Sequence, residues 1–223
     1  MAADLGEAPL LAWRAMEAEP YVYKGAWVEA IRVAEESLPI AWQIGETNVI
    51  LFASAWLGLA HLKVGNPAEA RRVVDGAIEY GQTSRDSTPF ALTYLTIAAA
   101  LTRLAEGAAE AALEQARRAL DYADRSRFPL EQGAAQRALG QAYAATGNRS
   151  GADPAFRASL AILDNICCRP EVGQTLLAYG RFRLDEDPAE GRVLIEGSCA
   201  VFEEIGADGW LGEARSALSM LSS

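Results

Sequence analysis

One spacing recurs along this chain about every forty residues, and it constrains the fold more than anything else in the sequence. One copy runs Leu139-Gly140, Tyr143, Gly147-Asn148, Ala152, Phe156 and Ser159. Another runs Leu57-Gly58, His61, Gly65-Asn66, Ala70, Val74 and Ala77, with the same offsets. The frame extends to three further copies, with turn positions at Gly25, Gly65, Gly107, Gly147 and Glu186. Five places on stand Ala30, Ala70, Ala112, Ala152 and Gly191; seven beyond those come Ser37, Ala77, Ala119, Ser159 and Ser198. Gly at the turn tolerates a positive φ where the chain reverses. The small residues let the second helix lie close against the first, where Gly58, Ala100 and Gly140 answer them. Gly180 fills that place in the fifth copy, one position out of register. A hairpin of this size cannot bury its apolar face alone, so units of fixed period must stack.

The expected fold is therefore all-α: a right-handed superhelical solenoid of about five helical hairpins and a C-terminal capping helix, in one domain over 1–223. The repeats fall at about 8–40, 41–81, 82–124, 125–165 and 166–206, with the cap at 207–223. Helical periodicity is plain in Ala70, Val73, Val74, Ala77 and Ile78, and again in Phe156, Leu160 and Leu163. About eleven helices are expected. Thr88-Pro89, Phe128-Pro129, Arg169-Pro170 and Asp187-Pro188 mark helix starts, because Pro is tolerated in a first turn. Pro20 falls inside the first helix of the first hairpin, which should end early or kink there. No run of alternating β-branched residues reads as a strand.

The pattern resembles the tetratricopeptide repeat (TPR). Repeat four carries the resemblance best, through Leu139, Gly140, Tyr143, Gly147, Ala152, Phe156 and Ser159; repeat two follows closely, with His61 in the aromatic slot. Repeats one, three and five keep the small residues and lose some aromatics; Ala99 and Arg103 stand for the leucine and the aromatic in repeat three. The period exceeds the usual TPR value of about 34. The extra residues fall around the links between hairpins, for example Gly81–Pro89 and Asp121–Pro129. HEAT-type repeats share the longer period but not the Gly-turn and small-residue spacing.

Composition narrows the function classes. The net charge of −10 speaks against direct nucleic-acid binding, which needs clustered cations to replace phosphate counterions. Arg71-Arg72 and Arg117-Arg118 read as solvated helix faces. No apolar run spans a bilayer and no signal pattern opens the chain, so no membrane partner and a cytoplasmic location are expected. Almost all cations are Arg, with Lys only at Lys24 and Lys63; with the excess of Ala this fits a GC-rich bacterial genome. Cys167, Cys168 and Cys199 form no disulfide framework and read as small helix residues. His61, the single histidine, is expected to pack in the core. No nucleophile or carboxylate set accompanies it, and neither Glu35-Glu36 nor Asp185-Glu186-Asp187 has metal-ligand spacing. We therefore expect no catalytic residue, no metal and no cofactor.

The resemblance implies a concave face lined by the first helices. Projected onto this chain it carries Phe52, Ala55 and Leu59, then Tyr94, Ile97 and Leu101, then Arg137 and Gln141, and finally Gln174, Leu177 and Arg181. An extended peptide or partner helix could lie there, its acidic part near Arg137 and Arg181. Alternatively, neighbouring helices cover Phe52, Leu59 and Leu101. The chain also resembles, in style, the C-terminal arrays of bacterial signalling ATPase/nucleotide-cyclase and maltose-regulator-like proteins, through Val201-Phe-Glu-Glu-Ile205-Gly206 and a final Trp helix. That resemblance implies a partner-binding or sensing arm of a larger signalling or transcription-regulatory protein, which could hold other domains of the same polypeptide. A free-standing adaptor or homodimeric scaffold, and a small-ligand sensor, stay open as alternatives.

Overall fold

A computed structural model describes residues 7–221. The terminal residues of the expected domain lie outside them. Among the described residues every regular element is helical. The chain begins with α1 (Ala8–Trp13), a 3-10 turn at Arg14–Glu17, and α2 (Ala18–Lys24). Then follow α3 (Trp27–Ile44), α4 (Thr47–Lys63), α5 (Pro67–Thr83), α6 (Pro89–Ala105) and α7 (Ala109–Ser126). The rest are α8 (Pro129–Ala145), α9 (Arg149–Asn165), α10 (Arg169–Arg183), α11 (Pro188–Glu204) and α12 (Asp208–Ser219). The kink expected at Pro20 falls one turn earlier, at Arg14–Glu17. Pro20 has no N–H for the carbonyl of Met16 and its ring crowds that carbonyl, so the preceding turn tightens. The helix restarts with Pro20 in the first turn of α2, where it is tolerated.

Gly25, Gly65, Gly107 and Gly147 all take positive φ at the turn inside each hairpin. At Gly65 the glycine N–H bonds to Leu62 O and that of Asn66 to His61 O, the paired arrangement that satisfies the last helical carbonyls. Links between hairpins use the same device, at Gly45 and Gly206, and with left-handed Arg127 and Cys167. This corrects the placing of the extra residues. They lengthen helices, since α3 to α9 run 17 or 18 residues, and only the α5–α6 link keeps a longer loop. Thr88, Asn148 and Asp187 cap α6, α9 and α11 with side-chain oxygens.

The repeat-defining residues have a steric role. Ala70, Ala77, Ala112 and Ala152 are fully buried. A Cβ added at Gly58 would stand 2.5 Å from Val74 Cγ2, and one at Gly180 would stand 2.6 Å from Ile195 Cγ1. At Gly140 it would meet the Phe156 ring at 3.0 Å. Phe156 in turn stacks on Tyr179 of the next hairpin, and half-buried Tyr143 packs beside it. Ser159 donates to Gly133 O at 2.8 Å and shares a hydrogen bond with Thr175, so its hydroxyl is satisfied in the core.

The helices form two layers. The first helices of the hairpins, α2, α4, α6, α8 and α10, touch one another in succession; α10 touches α12, and α12 touches α2. The inner layer is thus a closed circuit of six helices, with α3, α5, α7, α9 and α11 outside it. α12, expected as a cap, also completes the ring. The sequence explains the layering. Residues 49–58 of α4 are all buried, as befits a helix packed on every side. In α7 only Ala112, Leu113, Ala116, Ala119 and Ala123 are buried, one stripe at helical spacing.

The seam between α2 and α12 is built differently. Gly25 and Gly209 meet backbone to backbone: a Cβ on Gly209 would stand 2.2 Å from Gly25 O. Beside them the Trp210 indole donates to Val22 O at 2.8 Å, across 188 residues of sequence. Trp27 packs edge-on against Trp210, and Lys63 Nζ lies 3.8 Å from the centre of the Trp210 ring.

Candidate binding cavity

Closing the ring leaves a cavity of about 230 Å³ at its centre. Helical spacing explains the lining. Tyr94, Ile97, Leu101 and Ala105 are three and four residues apart on α6, and Arg137 and Gln141 four apart on α8. Glu171, Gln174, Ala178 and Arg181 form the corresponding stripe of α10, with Leu177 beside them. Trp56, Leu59, Leu62 and Lys63 face it from α4, and Val22 and Trp210 from the two sides of the seam. The volume is that of a small molecule; a helix with side chains is about 10–12 Å across.

Of the projected concave-face residues, Leu59, Tyr94, Ile97, Leu101, Arg137, Gln141, Gln174, Leu177 and Arg181 line this cavity together. Ala55 and Phe52 do not. Ala55 is fully buried, and Phe52 is 2% exposed and belongs to an aromatic cluster with Trp56, Phe90 and Tyr94. Tyr94, Ile97 and Arg137 are buried, Leu59, Leu101, Gln141 and Gln174 half-buried, and Arg181 exposed. The projection missed Trp56, Lys63, Glu171 and Trp210. Glu171 was within reach of it, because it lies three residues before Gln174 on the same face.

The cavity's charges are largely answered from within the chain. At one end Arg137 ion-pairs with Glu171, which is 2% exposed, and Tyr23 donates to the other Glu171 oxygen at 2.9 Å. The carboxylate near Arg137 is therefore supplied by α10. Burial, then the Glu171 charge, lifts the Glu19 carboxyl to about 7 and pushes the Tyr23 phenol well above its ordinary value. Toward the open end Lys63 holds Glu213 at 2.8 Å. Burial lowers the Lys63 pKa, and Glu213 opposes that shift. Arg181 lies 3.8 Å from the same Glu213 carboxylate.

Two residues that line the cavity each carry a buried side-chain atom without a hydrogen-bond partner, Trp56 Nε1 and Gln141 Oε1. His61 packs in the core at 5% exposure, both ring nitrogens without a hydrogen bond and its pKa lowered by burial. Among the described residues no cluster of His, Cys, Asp and Glu could hold a metal, and no helix is long and apolar enough to cross a membrane. The cysteines are free; Cys167 is an exposed turn residue, and only Cys199 lies within a helix, half-buried.

A second feature lies on the rim of the ring, where α4, α6 and α8 begin. Trp13 and Met16 of the first hairpin, Phe52, Phe90 and Phe128 line an open apolar groove there. Trp13 is 54% exposed and Phe128 59%.

No protein-family model matches the chain, and neither does any curated protein. Solved structures do. The crystal structure of BtubC (BKLC) from P. vanneervenii is 16% identical, with a TM-score of 0.53, over 96% of this chain and 83% of that one. A crystal structure of nearly identical TPR-like repeats from a putative kinesin light chain of Podosopora anserina is 18% identical, with a TM-score of 0.58, over 89% and 97%. The chain has a TPR-like helical-repeat fold.

Proposed function

We propose that this chain is a protein-interaction module whose partner docks on the aromatic rim groove. The exposure of Trp13, Phe90 and Phe128 side by side carries the reading. Large apolar side chains grouped on a surface mark interaction sites more often than isolated ones do. The occupant is an amphipathic helix of a protein partner. The backbone around the groove is helical, with no strand edge to extend, so recognition rests on apolar side chains entering the groove. The central cavity is too narrow for that occupant.

The role is regulatory, as an arm of a larger signalling or transcription-regulatory protein; the resemblance of the Val201–Gly206 phrase and the Trp210 helix to bacterial regulator arrays supports it. The module itself performs no catalysis. A photo-cross-linking residue at Phe128, in the source cells, tests the docking. The expected product is one discrete adduct whose cross-link maps to the apolar face of a helix in another protein. Trp13→Ser in the same chain should abolish it, and a cross-linker at exposed Val193 should not give it. An adduct to a second copy, to another domain of the same polypeptide, or none at all overturns the assignment.

A further inference from the structure

The central cavity holds chemistry that the rim reading leaves unused. Trp56 is 2% exposed, yet its indole N–H has no acceptor, and Gln141 Oε1 has no donor. Trp56 and Gln141 are both residues of the cavity wall. A buried polar atom without a partner carries a desolvation cost of about 1–3 kcal/mol, which a bound molecule can remove. The charge there is also out of character with the chain. In a protein of net charge −10, Lys63, Arg137 and Arg181 surround the cavity, opposed by Glu171 and Glu213 alone among paired carboxylates. Glu171 is taken by Arg137, and Glu213 is held by Lys63 at 2.8 Å, so Arg181 is left with a shared carboxylate at 3.8 Å. Arg181, with its side chain 47% exposed, marks the open end. The wall also carries the apolar side chains of Leu59, Ile97, Leu101 and Leu177.

We propose that this cavity binds a small amphipathic carboxylate, its anionic end at Arg181 and its apolar body between the leucine walls, with a hydrogen-bonding group for Trp56 and Gln141. Arg181 supplies the fork of donors that a carboxylate matches. A ligand seated there touches both sides of the seam, Val22 and Trp210, and so stabilises the closed ring.

The test uses 4-hydroxyphenylacetate and 8-hydroxyoctanoate as probes, with the corresponding amides and unhydroxylated acids as controls. Thermal unfolding and the ¹⁵N–¹H indole resonance of Trp56, assigned through Trp56→Phe, are the readouts. At least one hydroxy acid should raise Tm and shift that resonance, and its amide should bind about tenfold more weakly. Arg181→Gln, at an exposed position, should reduce the acid's affinity to that of the amide and leave the amide unchanged. Silence of both acids at roughly 10 mM, where even millimolar affinity would register, overturns the proposal. Amide binding equal to that of the acid overturns it as well. Neither result touches the rim groove, whose cross-link is read independently.

Discussion

The joints between successive inner helices and the seam that closes α12 on α2 bring together similar surfaces by different means. A joint such as α4 on α6 is made of interlocking apolar side chains: Phe52 and Trp56 pack on Tyr94 at 5.2 and 5.3 Å between ring centres. The seam is made of bare backbone at Gly25 and Gly209, one indole hydrogen bond, a cation over a ring and the edge-on contact of Trp27 with Trp210. Side chains at a joint can shift by rotation when one is changed. Two backbones in contact have nothing that can rotate away. The joints are therefore tolerant and the seam is strict.

Gly209→Val tests this most severely. Its side chain would meet the Gly25 carbonyl, so the seam must part; we expect a loss of about 3 kcal/mol. Small-angle scattering should show a larger radius of gyration while far-UV circular dichroism keeps its helical content. A compact variant would show that the seam yields as a joint does.

Glu19 gives the next largest effect, through pH. Its carboxyl ionises near 7 in the folded chain and near 4.5 when unfolded. Between those values the folded chain keeps a proton that the unfolded chain has released, so stability falls as pH rises through that window. Allowing for partial exposure, the cost above pH 7 is on the order of 2 kcal/mol. Glu19→Gln should flatten that limb in urea titrations between pH 4.5 and 8.

Gly58→Ala probes an ordinary repeat contact. The new methyl would stand 2.5 Å from Cγ2 of Val74, a buried β-branched side chain with little rotamer freedom in its helix, so α4 and α5 must ease apart slightly; a loss of about 1.5 kcal/mol in chemical denaturation is expected, with no change in overall dimensions. Smallest is Trp210→Phe. It deletes the hydrogen bond to Val22 and weakens the attraction to Lys63, and should cost about 1 kcal/mol. A loss beyond that of Gly209→Val would mean that the indole, more than the glycine pair, holds the seam.

These two kinds of contact also divide what could be read from the chain. The turn glycines, the buried alanines and the proline starts repeat, so each copy supports the others, and they stand where the spacing puts them. The seam has no copy. Gly209 looks like any loop glycine, and its partner lies at the other end of the chain. The cavity was legible in part, because the repeat frame carries the phase of α6 and because α8 and α10 place polar residues, Arg137, Gln141, Gln174 and Arg181, among apolar ones. In α4 residues 49–58 are buried on every side, so apolar periodicity marks no direction. The projected face therefore took in Phe52, which sits at the rim, and passed over Trp56 and Lys63, which face the centre.

A linear stack of repeats leaves its outermost units with a neighbour on one side only, and opening spreads inward from them. Here α2 and α12 are each other's missing neighbour. Amide protons of these two helices should then exchange as slowly as those of the middle helices, and speed up together once the seam is cut. Folding order follows as well. Every hairpin can form from residues close in sequence, but the hydrogen bond from Trp210 to Val22 must wait until 188 residues of chain are in place, so ring closure is expected to be the last event of folding.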